Sequence, residues 1–229
     1  MKLEIQAVTF DVGGTLIEPW PSVGQIYGAV AAEHGLSNLD AVELTERFGA
    51  AWKTKKDFDY SRSGWRDLVA QTFGETLPAW QLDALFQDIY VRFEQPDAWR
   101  VFDDVVPVLA TLRSAGFKLG VVSNWDERLR PLLDRLGLSQ YFDAIVISIE
   151  VGAAKPATAI FARAAALLEA EPNRILHVGD SPHEDVVGAQ EAGWSALKIS
   201  RSTANDWGLA SLAALPAALG IALSGPSSD

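Results

Sequence analysis

Four polar residues stand at or just past the ends of apolar runs. Asp11 follows AVTF (7–10) and Ser123 closes KLGVVS (118–123). Lys155 comes after AIVISI (144–149) in the short segment EVGAAKP (150–156), and Asp180 follows RILHVG (174–179). Two carboxylates offer oxygen to a hard divalent cation, for which Mg2+ is the best match. A hydroxyl and an ammonium suit phosphoryl oxygens, and a carboxylate aimed at phosphorus is a nucleophile. These residue types therefore predict a phosphate-and-metal site, provided the fold brings all four to one edge.

The apolar runs meet that requirement if they are strands of a parallel sheet. They are continuous rather than alternating, as in strands covered on both faces, and SALKIS (195–200) adds a fifth. Residues at helical spacing lie between the later runs: Val105, Leu109 and Leu112; Leu129, Leu132, Leu133 and Leu136; Ile160, Ala164, Leu167 and Leu168. Strands alternating with helices imply crossovers and parallel pairing. The predicted fold class is α/β, a doubly wound parallel-sheet core, with the polar residues at the carboxyl ends of its strands, where such folds bind ligands.

No comparable strand is expected between Thr15 and Lys118. Residues 18–97 read as helices over Gln25–His34, Asp40–Asp57, Trp65–Phe73 and Ala79–Gln95, with His34-Gly35 and Phe73-Gly74 as stops. The expected organisation is a discontinuous core of residues 1–17 and 98–224, an inserted helical domain of residues 18–97, and a frayed tail at 225–229.

The chain has 229 residues, 48% of them apolar, with a formal charge of -11 and no cysteine. That charge disfavours nucleic acid and anionic membranes as partners but leaves room for a small anion in a locally cationic pocket. Without cysteine there is no disulfide, thiolate nucleophile or thiolate metal site. MKLEIQ lacks a signal-peptide pattern, and the apolar stretch 208–223 is short and broken by Pro216 and Gly220, so a cytoplasmic protein is expected. A monomer and a homodimer are equally compatible with the sequence.

The motifs FDVGGTL (10–16), VVSNW (121–125), EVGAAKP (150–156) and VGDSPHEDVVGA (178–189) resemble, in order and spacing, those of the haloacid dehalogenase (HAD) superfamily, whose Rossmann-like core carries a helical cap inserted after the first motif. The resemblance implies Asp11 as a nucleophile forming an aspartyl-phosphate, Thr15 supporting the turn and the phosphate, and Ser123 bonding the phosphoryl group with Asn124 beside it. It further implies Lys155 neutralising nucleophile and phosphate, and Mg2+ held by Asp11, Asp180 and the carbonyl of Gly13, with Asp185 orienting the metal site from behind.

Residue 13 departs from the family pattern. Its phosphatases usually carry there a second aspartate that protonates the leaving oxygen, and Gly13 has no side chain to move a proton. General acid–base help is worth about 10²–10⁴ in rate, so hydrolysis of alkyl phosphates should suffer and that of acyl or aryl phosphates far less. Three readings follow: a phosphatase of a small phosphorylated metabolite with an activated leaving group or an acid from elsewhere (Glu18, Asp57 or Asp59); a phosphonatase-like or dehalogenase-like hydrolase; or a non-catalytic binder of a phospho-ligand or protein. Lys53, Lys55 and Lys56, with Arg47, Arg62 and Arg66, form a basic island that is either a substrate-facing patch or a solvated helix face. Several site residues also have plain structural readings. Asp185 suits a helix start, Ser123 and Asn124 suit a helix cap, and Gly13-Gly14 suits a tight turn. His177 reads as a core residue, His183 as an alternative proton carrier, and Trp20 and Trp125 as packing or pocket-lining rings.

Overall fold

The computed structural model describes residues 4–55, 58–74, 77–201 and 208–221. The chain divides into two compact units, Met1–Ile17 with Val101–Asp229, and Glu18–Arg100.

The first unit is built on a five-stranded sheet in the order β5-β4-β1-β6-β7. Its strands are β1 (Ala7–Phe10), β4 (Lys118–Ser123), β5 (Ala144–Ile147), β6 (Ile175–Gly179) and β7 (Ser195–Lys198). Every pairing is parallel. Phe10 pairs with both Val121 of β4 and Val178 of β6. The chain leaving the central strand is thus flanked by the ends of β4 and β6, which brings Asp11, Ser123 and Asp180 to one rim.

The crossovers carry α5 (Val105–Ser114), α6 (Leu129–Arg135), α7 (Ser148–Val151), α8 (Thr158–Leu168) and α9 (Gly188–Glu191). Leu109, Leu112, Leu129, Leu132 and Leu133 are fully buried, as their helical spacing predicts. Ile160, Phe161, Ala164 and Leu168 of α8 pack on Val122 and Val146. Burying each such large side chain contributes about 1.5–3 kcal/mol. The late apolar stretch forms a 3-10 turn, Leu212–Ala214, and α10 (Leu215–Ala218), with Leu212 and Leu215 buried; its last residues lie outside the described ones. No helix among the described residues is long and apolar enough to cross a membrane.

The strand expected over 144–149 stops at Ile147. Ser148 opens α7 instead, and its hydroxyl accepts from Trp125 N and donates to Trp125 O, both at 3.0 Å. Two short strands escaped the sequence reading, β2 (Ile17–Pro19) and β3 (Trp99–Val101), which pair as a ribbon where the chain passes between units. Three residues are too few to show a period of two.

The second unit is helical: α1 (Val23–Glu33), α2 (Ala41–Thr54), α3 (Arg62–Phe73) and α4 (Ala79–Arg92). Ser22 and Ser61 accept from the N–H groups of Gln25 and Gly64, so α1 and α3 start two or three residues before the apolar periodicity shows. Asp40 caps α2 in the same way. Tyr27, Phe73, Leu85, Phe86, Ile89 and Tyr90 form this unit's own core. The expected tail at 225–229 lies outside the described residues.

Candidate active site

The turn after β1 is wound tightly. Asp11 N donates to Val178 O at 2.9 Å, and the N–H groups of Thr15, Leu16 and Ile17 all reach back to Val12 O. Asp11 is only 8% exposed. Its Oδ1 accepts from Ser123 Oγ at 2.9 Å and from Lys155 Nζ at 2.7 Å. Lys155 Nζ also donates to Asp185 Oδ1 at 2.5 Å, so one buried ammonium is shared by two buried carboxylates. Burial works against that ammonium, but Asp11 and Asp185 together outweigh it and hold Lys155 above its usual range. Asp185 goes the other way: burial opposes its charge, yet Lys155 and His177 keep it below the usual carboxylate range. Burial pushes Asp11 up despite the pull of Lys155.

Asp180 completes an acidic cluster, with carboxylate oxygens of Asp11, Asp180 and Asp185 all within 4.8 Å of one another. Asp180 has a face open to solvent, but the protein packed around its carboxyl group, and then the charges of Asp11 and Asp185, push it up to about 7. A hard cation would relieve that crowding, and an all-oxygen donor set suits Mg2+, which is usually held through one or two carboxylates while water and phosphate complete its shell. The residues fit such an ion through Asp11 and Asp180. Asp185 sits behind them, its Oδ1 engaged by Lys155 and His177 and its Oδ2 by Ser181 N at 2.8 Å.

Two glycines admit these acids. Gly14 has φ +72°, and a Cβ on it would lie 2.6 Å from Asp180 Oδ2. A Cβ on Gly179 would lie 2.2 Å from Asp185 Cγ. At Gly13 the neighbour is different: a Cβ there would meet Cζ3 of the half-buried Trp125 at 3.3 Å. The ring edge borders the space into which a side chain at residue 13 would project and would have to give by a few tenths of an ångström to admit one.

Asn124 serves Lys155 rather than standing open beside Ser123. Its Oδ1 accepts from Lys155 N at 2.6 Å, and its Nδ2 donates to Lys155 O at 2.9 Å and to Glu184 Oε2 at 3.2 Å. Thr15 is fully buried, its hydroxyl has no hydrogen-bond partner among the described residues, and its carbonyl accepts from Arg201 Nη2 at 2.6 Å.

The alternative acids and bases are occupied locally. Glu18 accepts from Arg100 Nε at 2.8 Å. Asp59 accepts from Ser61, whose side-chain and backbone hydrogen bonds hold it below the usual range and make it a poor proton donor. Asp57 and Lys56 lie outside the described residues. Lys55 sits over the Trp52 ring at 3.7 Å, Arg47 pairs with Glu43 and Arg66 with Asp83, so the basic island is largely spent inside its own unit. Trp20 lies under the Arg100 guanidinium and His183 is exposed.

The sequence reading missed His177 as part of this site. Its Nε2 lies 3.1 Å from Asp185 Oδ1 and its Nδ1 2.9 Å from Thr9 Oγ1. Thr9 and His177 are directly paired in the β1–β6 register, each a lone polar side chain in an otherwise apolar strand. Buried polar groups need partners, and that pairing was the available signal.

With this geometry in place, the similarity to known proteins has a structural basis. The model of the haloacid dehalogenase-like hydrolases matches residues 5–193. The chain is 32% identical over 210 residues to haloacid dehalogenase-like hydrolase domain-containing protein 3 of Bos taurus, covering 87% of this chain and 83% of the relative. It is 29% identical over 201 residues to N-acetylmuramic acid 6-phosphate phosphatase of Pseudomonas aeruginosa, covering 86% and 83%. Among solved structures, a HAD phosphatase from Thermococcus onnurineus superimposes with a TM-score of 0.69 at 27% identity, over 94% of this chain and 98% of that one. The parallel sheet, the cluster at its rim and the match over most of the length agree, and the chain belongs to the haloacid dehalogenase-like hydrolases.

Proposed function

We propose that the protein is a Mg2+-dependent phosphatase of small phosphorylated metabolites that works through an aspartyl-phosphate on Asp11. The observation that carries this reading is the double hydrogen bond to Asp11 Oδ1 from Ser123 Oγ and Lys155 Nζ, with Asp180 alongside. The phosphatase names of the Pseudomonas aeruginosa relative and the Thermococcus onnurineus structure support phosphate transfer as the reaction class. Asp180, a carboxylate standing beside Asp11 where a metal ligand is needed, favours this over the metal-free dehalogenase alternative.

Asp11 attacks phosphorus, an Asp11–phosphorus bond forms, and the bond from phosphorus to the leaving oxygen breaks with its electron pair. Water then cleaves the acyl phosphate and regenerates the carboxylate. Ser123 and Lys155 orient Asp11 and hold the phosphoryl oxygens, Asn124 fixes the backbone of Lys155, and Asp185 supplies the ammonium's second counter-charge. Bound Mg2+ would supply charge neutralisation next to Asp11 and Asp180. Residue 13 is glycine and delivers no proton, which favours a leaving group that departs as a stable anion. Acyl and aryl phosphates meet that condition. The helical unit, Glu18–Arg100, would act as the cap that selects among them. We place this chemistry in the cytoplasm, with a small anion rather than nucleic acid or a membrane as partner.

The test is an assay of acetyl phosphate, 4-nitrophenyl phosphate and glycerol 3-phosphate with Mg2+ and with EDTA, in the wild type and in Asp11→Asn. Turnover should follow the acidity of the leaving group, vanish with EDTA and vanish in the variant. Hydrolysis indifferent to EDTA, or surviving in Asp11→Asn, overturns the proposal.

A further inference from the structure

Behind the rim a hydrogen-bonded row runs from the sheet interior to the nucleophile: Thr9, His177, Asp185, Lys155, Asp11. The first two members are fully buried. The His177 ring is walled by Phe161, edge-on at 5.6 Å, and by Trp194 at 6.4 Å, so its plane is set by packing. Asp185 accepts from the Lys155 ammonium on Oδ1 at 2.5 Å and from Ser181 N on Oδ2 at 2.8 Å, so both its oxygens are acceptors. His177 Nε2 must therefore carry a proton, which leaves Nδ1 of the neutral ring to accept from the Thr9 hydroxyl. Asp185 thus selects the tautomer, the packed ring aims it, and the Thr9 hydroxyl follows by donating to Nδ1 at 2.9 Å in preference to the Leu176 carbonyl at 3.5 Å.

We propose that His177 is a positioning residue: through a fixed Nε2–H it holds Asp185, and through Asp185 it holds the Lys155 ammonium against Asp11. Three donors share Asp185: Lys155 and His177 on Oδ1, and Ser181 N on Oδ2. Without His177 the carboxylate keeps its charge but loses the constraint that sets the direction of Oδ1. Partners at this distance from the chemistry are typically worth about 10–100-fold when removed from metal-ligand sets, and a similar loss is expected here. The role rests on the phosphatase reading only for its kinetic consequence; the tautomer and its partner are properties of the folded chain alone.

Two measurements on the full chain separate these. In ¹⁵N-histidine NMR without metal or substrate, one of the 3 histidines should be a neutral Nε2–H tautomer with a downfield, exchange-protected proton. That proton should disappear in His177→Gln, move in Asp185→Asn and weaken in Thr9→Val, which keeps the volume of Thr9. An Nδ1–H tautomer, or a proton unmoved by Asp185→Asn, overturns the proposal whatever the enzyme hydrolyses. Kinetically, His177→Gln keeps an N–H within reach of Asp185 and should retain activity to within a few-fold. His177→Asn carries its amide too short and should lose about 10–100-fold in kcat toward 4-nitrophenyl phosphate with KM little changed. Equal loss in both variants, or a loss confined to KM, refutes the positioning role. Should His177→Asn fail to fold, Thr9→Val supplies the same test through a smaller fall in kcat. Should the wild type hydrolyse no phosphate, the proposed function fails while the tautomer result still stands or falls by itself.

Discussion

Lys155 Nζ lies 2.7 Å from Asp11 Oδ1 and 2.5 Å from Asp185 Oδ1, so a single buried cation neutralises a residue from the first strand and one from the turn after the fourth sheet strand in sequence. Lys155→Met should leave two carboxylates facing each other without a counter-ion. Breaking a buried pair in this way costs about 3–5 kcal/mol. Thermal denaturation should show a large fall in Tm, and 4-nitrophenyl phosphate turnover should fall at least 100-fold under conditions where the variant is still folded. A variant with near-native turnover would remove Lys155 from the site chemistry.

Replacing the missing acid is expected to need two changes. In Gly13→Asp the new Cβ would lie 3.3 Å from Trp125 Cζ3, so the ring edge must yield by a few tenths of an ångström to admit the side chain. The single variant should improve the rate on glycerol 3-phosphate, relative to acetyl phosphate, by less than 10-fold. Gly13→Asp with Trp125→Ala should gain more, toward the ~10²–10⁴ that general acid catalysis supplies. Additive effects of the two substitutions would show that Trp125 does not control the space at residue 13.

Gly14→Ala tests the metal end of the cluster. Its Cβ would sit 2.6 Å from Asp180 Oδ2, at a residue with φ +72°. The substitution should cost more than about 1 kcal/mol in stability from the backbone alone and displace Asp180. Calorimetric titration should show Mg2+ affinity at least 10-fold weaker than wild type.

A prediction for acid stability concerns Asp104. Arg201 Nη1 at 2.7 Å, Ser211 Oγ at 2.6 Å and Leu212 N at 2.8 Å all donate to its Oδ2, tying the late segment to the start of α5. Burial opposes the charge of Asp104, but these donors outweigh it and lower its pKa from the ordinary 3.8. A carboxyl group with a lowered folded pKa stabilises fully above its unfolded value and loses that contribution as pH falls through the folded one. The Tm gap between wild type and Asp104→Asn should therefore be constant near neutrality and shrink below pH 3.8. A gap unchanged at pH 3 would show that the charge of Asp104 contributes nothing.

The sequence by itself determined the α/β core and the common rim of Asp11, Ser123 and Asp180. The runs 7–10 and 118–123 are strands to the residue, and the later ones differ from their expected ends by one or two residues. Continuous apolar runs between helical periods leave few alternatives to a covered parallel sheet, and a parallel sheet puts all strand ends on one side. It could not show helix starts set by serine caps, or strands of three residues, because neither leaves a periodic trace.

Only the tertiary structure decided who touches whom at the rim. Asn124 turns to the Lys155 backbone, Trp125 borders Gly13, and His177, buried as expected, also bonds Asp185. These contacts join residues 31, 112 and 8 positions apart — for Trp125 and Gly13 the separation is that of their strands, as for Ser123 and Asp11. Local residue type sets what a side chain is able to bond. Strand register and the direction of each Cβ set which partner is within 3 Å, and those are properties of the assembled sheet.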